Sequence, residues 1–206
     1  MIKAIIFDFD GVIIDSYKTN LELAIQYNPH ATEQDFINQH MGNVFKDPVI
    51  SYNPENLIEC FAFQKERLNE GHLFPINNVI TELYSKFPLF IVSSTIKENI
   101  THFLSLVNLL DYFKDILGAD THKSKLEKFR IILESNSLKP DECLFITDTV
   151  GDILEAHKVG IKTIAVTWGY HNEELLKQHN PEALVHTPEE LLETINQFTI
   201  KNIISE

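Results

Sequence analysis

Arginine is nearly missing from this 206-residue chain: Arg67 and Arg130 are the only two, and the net charge is −13. Proteins that grip a phosphate backbone neutralise it with clustered cations, so nucleic acid is not an expected partner. The acidity bears on solubility and names no substrate by itself. Cysteine is as scarce. Cys60 and Cys143 lie far apart in apolar surroundings, without disulfide or metal-site spacing, and read as buried free thiols of a reducing compartment. No apolar run approaches membrane-spanning length, and the amino terminus lacks the basic flank and apolar stretch of a signal peptide. A cytoplasmic location with no membrane partner is expected.

What is present is informative by its order. A hydrophobic share of 44% at this length suits one sizeable core, or a core with a smaller insertion. The chain opens on the apolar run Ala4 to Phe7, which ends in two carboxylates, Asp8 and Asp10, and then Gly11. A run this short and β-branched reads as a buried strand, and Gly11 as the turn that stops it. The aspartates then stand at the carboxyl end of a central strand, where open α/β sheets bind ligands. Two like charges buried there need a cation or a proton.

Asp15-Ser16 offers a helix cap, and the chain to about His72 reads as helices broken at Asn28-Pro29, Met41-Gly42-Asn43, Asp47-Pro48 and Asn53-Pro54. The clearest helix runs from about Pro54 to Asn69. With no strand pattern there, residues 16–73 read as an all-helical insertion into a core of residues 1–15 and 74–206. Regular alternation follows. Helices are expected over about Pro75 to Lys86, Lys97 to Leu106, Lys125 to Glu134, Gly151 to Lys158 and Pro188 to Phe198. Strands are expected at Leu89–Val92, near Ile116-Leu117, at Cys143–Ile146 and at Lys162–Val166, with an edge element at Pro181–Val185. This predicts an α/β fold: a Rossmann-like parallel-sheet core with right-handed crossovers and an inserted all-helical cap domain.

Polar residues gather where three strands end. The first gives Asp8 and Asp10, the second Ser93 with Ser94 and Thr95, the third Asp148 with Asp152 four residues on. Such groups converge on one crevice, and carboxylates crowded there call for a hard cation; magnesium suits oxygen ligands. Helix capping is the plainer reading of Asp148 and Asp152 taken alone, but the company of Asp8 and Asp10 weighs against it. Lys123 and Lys125, at a helix start, supply candidates for a cation beside a phosphate, with the Ser93 hydroxyl and backbone N–H groups as donors. Two lysines compete for one role, so one of them is expected to be merely solvated.

Taken together, Asp8-Phe9-Asp10-Gly11-Val12, a serine after the second strand, a lysine before a helix, and Thr147-Asp148-Thr149-Val150-Gly151-Asp152 resemble the haloacid dehalogenase superfamily, in its order and over nearly the whole chain. The chain is most similar to the phosphoglycolate phosphatase and β-phosphoglucomutase-like branch. The resemblance implies that Asp8 is the nucleophile, forming an aspartyl-phosphate, and that Asp10 is the general acid and base. It implies phosphate binding by Ser93, with Ser94 and Gly11 beside it, and a lysine that steadies the nucleophile. It also implies magnesium held by Asp8, Asp10 through its backbone carbonyl, and Asp148, with Asp152 as a more distant partner. Relatives follow the lysine with proline, which neither lysine here has. Counting back from Asp148 favours Lys123; the match of Ser124 to Phe129 favours Lys125, the reading adopted. Ser93 stands where many relatives have threonine, keeping the hydroxyl.

In the cap, Asn43 and Lys46 lie in a loop able to reach over the site, and Lys46 is the better candidate. His122 lies near the lysines, and Trp168-Gly169-Tyr170 near the crevice, where an aromatic is expected to pack rather than bind substrate. The expected activity is magnesium-dependent hydrolysis of a small phosphorylated metabolite. A phosphomutase would share every core residue. A dehalogenase would have no use for Asp148 and Asp152, and a non-enzymatic phospho-ligand-binding role does not need the full set of catalytic residue types.

Overall fold

The computed structural model describes residues 1–46 and 48–204; Asp47, in one of the expected loop breaks, lies outside them. Six strands form one sheet: β1 (Ala4–Phe7), β2 (Leu89–Val92), β3 (Phe113–Leu117), β4 (Cys143–Thr147), β5 (Lys162–Val166) and β6 (Ala183–Val185). Their order is β3-β2-β1-β4-β5-β6 and every pairing is parallel. Strands β1, β2 and β4 are buried along their whole length, as continuous apolar runs covered on both faces should be. Alternate residues feed two cores. Ile5, Phe7, Ile91 and Ile146 pack with Ile80, Phe103 and Leu191 on one face, and Ile6, Val92 and Phe145 pack with Phe129, Ile132 and Ala156 on the other.

The helices are α1 (Tyr17–Tyr27), α2 (Glu33–Gln39), α3 (Pro54–Arg67), α4 (Asn77–Tyr84), α5 (Lys97–Leu106), α6 (Lys125–Ser135), α7 (Val150–Val159), α8 (Glu173–Lys177) and α9 (Pro188–Ile204). Local chemistry starts several of them. Asn53 accepts the Asn56 N–H and Pro54 holds the first position of α3, while Thr32 and Asp35 cap α2 reciprocally. Gly160 ends α7 at φ +81°, a left-handed turn that suits glycine.

Some boundaries differ from the sequence reading. β3 begins at Phe113 rather than near Ile116, because pairing with β2 recruits the polar residues Lys114 and Asp115 into a strand that lacks an apolar signature. The edge element is a sixth parallel strand, and α4 starts two residues after Pro75. Helix α3 stops at Arg67 because Leu68 turns to extended backbone, and α9 continues to Ile204. Both cysteines are free and buried, as expected.

The chain leaves β1 and returns towards α4 at one place. The Asp15 N–H donates to the His72 carbonyl at 2.7 Å, the Phe74 N–H to Ile13 at 3.1 Å, and Ile14 and Leu73 form an antiparallel bridge. Among the described residues only helices and loops lie between them, α1 to α3. After β3 the chain crosses to the other side of β1, so β1 is the switch point of the sheet, the place where such folds open a crevice. Among the described residues no helix is long and apolar enough to cross a membrane.

Candidate active site

Asp8, Ser93 and Asp148 each follow directly on one of three adjacent strands, β1, β2 and β4, so the sheet alone brings them to one edge. Asp8 continues the ladder, its N–H donating to Ile146 at 2.8 Å, and its Oδ1 accepts the Phe9 N–H at 2.7 Å. Its Oδ2 lies 2.8 Å from Nζ of Lys125, which also donates to Asp152 Oδ2 at 2.5 Å. The Thr147 hydroxyl donates to that same Asp152 oxygen at 2.8 Å.

These groups are almost wholly removed from water. Burial pushes the Asp8 carboxyl well above the usual carboxylate range, with Lys125 opposing. Burial acts on Asp152 too, but Lys125 and the hydrogen bonds from its neighbours outweigh it and hold this acid below its ordinary value. For Lys125 burial opposes the charge, and the two carboxylates more than offset it. One cation thus serves two acids.

Asp148 is fully buried, and burial raises its carboxyl to about 7 against the Tyr170 N–H, which donates to Oδ2 at 2.7 Å. A Cβ added at Gly11 or at Gly169 would overlap this carboxylate, so the two glycines let the backbone close around it. Its other oxygen, Oδ1, is buried and has no hydrogen-bond partner among the described residues.

Asp10 faces the helical segment. Its Oδ1 accepts from Ser16 Oγ at 2.7 Å and from the amides of Asn20 and Gln64 at 3.2 Å each, and its Oδ2 accepts from Thr95 Oγ1 at 2.7 Å. Ser93 is fully buried, and its Oγ accepts the Thr95 N–H at 2.9 Å. Beneath it Lys128, also fully buried, donates to the Ser93 carbonyl at 2.5 Å; burial lowers this amine to about 7. Above these groups lies a cavity of about 250 Å³, lined from the sheet side by Asp8, Asp10, Ser93, Ser94, Lys125 and Asp152.

The structure sorts the remaining candidates. Lys125 reaches the acids; Lys123 instead lies with Nζ 4.5 Å over the Phe45 ring, outside the cavity. Lys46 is exposed and does not line the cavity, which corrects the preference for it over Asn43. Asn43 does line it, donating to the Glu155 carboxylate at 3.2 Å. Its Oδ1 accepts the Phe45 and Lys46 N–H groups at 3.0 Å each. His122 is exposed, its Nδ1 accepting the Ser124 N–H at 3.0 Å. Trp168 packs beside Phe74 and donates to the Val12 carbonyl at 3.3 Å. Tyr170 lines the cavity, its hydroxyl 2.7 Å from Asn20 Nδ2 and 2.9 Å from Ser16 Oγ.

Sequence reasoning missed Gln64, Asn20, Ser16 and Lys128. Only Lys128 had a usable signal, lying three residues beyond Lys125 on the same helix face.

The acids fit a hard divalent cation in donor chemistry, all oxygen, and in the buried, unpartnered Oδ1 of Asp148. Among the described residues, no three Asp, Glu, His or Cys side chains stand as a ready-made metal cluster; Lys125 occupies the oxygens of Asp8 and Asp152.

The model of the haloacid dehalogenase-like hydrolase family matches residues 5–166. The chain belongs to this family. Among curated proteins, this hydrolase is 26% identical to the phosphoglycolate phosphatase of Synechococcus elongatus, over 95% of this chain and 98% of that protein. It is 25% identical to the pyrophosphatase PpaX of Anoxybacillus flavithermus, over 93% and 95% of the two chains. Among solved structures, the β-phosphoglucomutase of Clostridium difficile shares the fold with a TM-score of 0.76 at 19% identity, over 99% of this chain and 100% of that one.

Proposed function

We propose that this hydrolase is a magnesium-dependent phosphatase that cleaves a small phosphate monoester through an aspartyl-phosphate on Asp8. The observation that carries the reading is Lys125 Nζ seated between Asp8 and Asp152 on the cavity wall that Ser93 and Asp10 share. The family's hydrolases and the phosphatases among its curated relatives support the same reaction class.

Asp8, Asp148 and the Asp10 carbonyl would hold the magnesium ion, with Asp152 behind them. When bound, the ion supplies positive charge to the phosphoryl oxygens. A carboxylate oxygen of Asp8 attacks phosphorus as the bond to the leaving alcohol oxygen breaks, and Asp10 gives that oxygen its proton. The Lys125 ammonium and the Ser93 hydroxyl take up the developing charge. A water then attacks the phosphoryl group, Asp10 receives its proton, and the bond to Asp8 breaks to release phosphate. The hydroxyls of Ser16 and Thr95 can donate to Asp10 when it is ionised and accept when it is protonated, so both states find partners. Residues 16–73 act in this reading as a cap domain over the core of residues 1–15 and 74–206, excluding water from the phosphoryl group.

Phosphate release from a panel of monoesters, with and without magnesium, tests the reading on the native chain and on Asp8→Asn. Magnesium-dependent release that vanishes in the variant is expected, without any bisphosphate activator. Equal release from the variant, or none except as sugar-phosphate isomerisation, overturns it.

A further inference from the structure

The cavity confines charge to its sheet end. Asp8, Asp10, Asp152 and Glu155 line it there, and among the described residues the one lysine or arginine in the lining is Lys125, already held by two of those acids. Residues 16–73 contribute a wall of another kind: Phe36, Phe45, Ile50, Tyr52, Leu57 and Phe61. None of the lysines or the arginine described in this segment lines the cavity, and Asp47, outside the described residues, is an acid.

The polar side chains on that wall are uncharged and mostly committed. Gln39 donates to the Val44 carbonyl and accepts the Val49 and Ile50 N–H groups. Asn43 is bound to Glu155, and Gln64 to Asp10. His40 Nδ1 lies 2.8 Å from the Phe36 carbonyl, and burial holds its imidazole at about 4, so it is neutral near pH 7. The Tyr52 hydroxyl has no hydrogen-bond partner among the described residues and can meet a single polar group of a ligand.

We infer that the leaving group held by this wall is an uncharged, mainly apolar alcohol, so that alkyl and arylalkyl phosphates are preferred and esters bearing a second anion are rejected. The inference rests on the phosphatase reading for the position of the phosphoryl group and extends it to the rest of the substrate. A carboxylate or second phosphoryl group entering here would lose its hydration, find no free cation among the described lining residues and lie near the Glu155 carboxylate. An apolar group gains by leaving water for the same surface. At about 250 Å³ the space suits a small ester. The selectivity is therefore opposite to what the names of the phosphoglycolate phosphatase and pyrophosphatase relatives suggest.

Two measurements separate this inference from the reading beneath it. Calorimetric titration of the Asp8→Asn protein in magnesium, with benzyl phosphate and with phosphoglycolate, reads selectivity without turnover. At least tenfold tighter binding of benzyl phosphate is expected. Equal or tighter binding of phosphoglycolate, or no binding of benzyl phosphate, overturns the inference. Phosphate release by the native protein from benzyl phosphate, n-propyl phosphate, phosphoglycolate and pyrophosphate then reads the reaction. Release that favours either doubly anionic substrate overturns the inference and leaves the phosphatase reading intact. Selective binding with no release from any ester overturns the phosphatase reading and leaves the selectivity standing. Leu57→Lys places a cation in the wall and should shift the kcat/KM ratio at least tenfold towards phosphoglycolate. An unchanged ratio in the folded variant counts against the inference.

Discussion

Gln64 Nε2 lies 3.2 Å from Oδ1 of Asp10, joining the last turn of α3 to a residue just beyond the first strand, 54 positions away. The same amide nitrogen lies 3.2 Å from Asn20 Oδ1 and 3.3 Å from Thr95 Oγ1, so one nearly buried side chain ties α1, α3 and the loop after β2 to the proposed acid.

Gln64→Leu removes a donor to a charged group, worth about 1.5–3 kcal/mol, and the proposed reaction should slow by about 10- to 100-fold in kcat. Steady-state phosphate release checks it. A change confined to KM would mean that Gln64 only shapes the ester site.

Lys125→Met leaves Asp8 and Asp152 buried without their shared cation. Breaking such a pair costs about 3–5 kcal/mol, visible in urea denaturation at pH 7. Magnesium should restore part of that stability, because it replaces positive charge, while phosphate release stays lost. Full activity in this variant would remove lysine from the mechanism.

Gly11→Ala and Gly169→Ala both drive a methyl group into the Asp148 carboxylate, but Gly11 also sits at φ +73°. Both should weaken magnesium binding. Gly11→Ala should be the less stable by about 1–2 kcal/mol, the cost of a left-handed alanine. Thermal melts with and without magnesium would show the difference.

The histidines at the seam give a pH dependence. Burial lowers His40 to about 4 and also lowers His171, whose Nδ1 accepts the Val150 N–H while Nε2 lies 3.1 Å from the Ile37 carbonyl. Between pH 6.5 and 4 the unfolded chain binds protons that the folded chain refuses. Stability is therefore lost as the pH falls through that window. His40→Phe should flatten the fall in melting temperature between pH 6.5 and 4; an unchanged slope would place the titration elsewhere.

The sheet and the residues that end its strands were legible because their causes are local. Buried parallel strands are continuous apolar runs, and the first polar residue after each, Asp8, Ser93 or Asp148, must emerge at the same edge. The edge strand β3 was only half visible, since its polar residues are held by pairing with β2 rather than by burial.

By itself, the sequence determined the order of strands and helices, the carboxylates at the sheet's edge and the want of arginine near them. It favoured Lys125 over Lys123 only through a resemblance, and it preferred Lys46 to Asn43 where the structure places Asn43 at the cavity, because loop direction is set by contacts with distant groups such as Phe45 and Glu155. Nor could it pair Gln64 with Asp10 or line the cavity with rings, since a helix's periodicity says which face is buried and not what covers it. Only the docking of α1, α2 and α3 against the sheet's edge decided those.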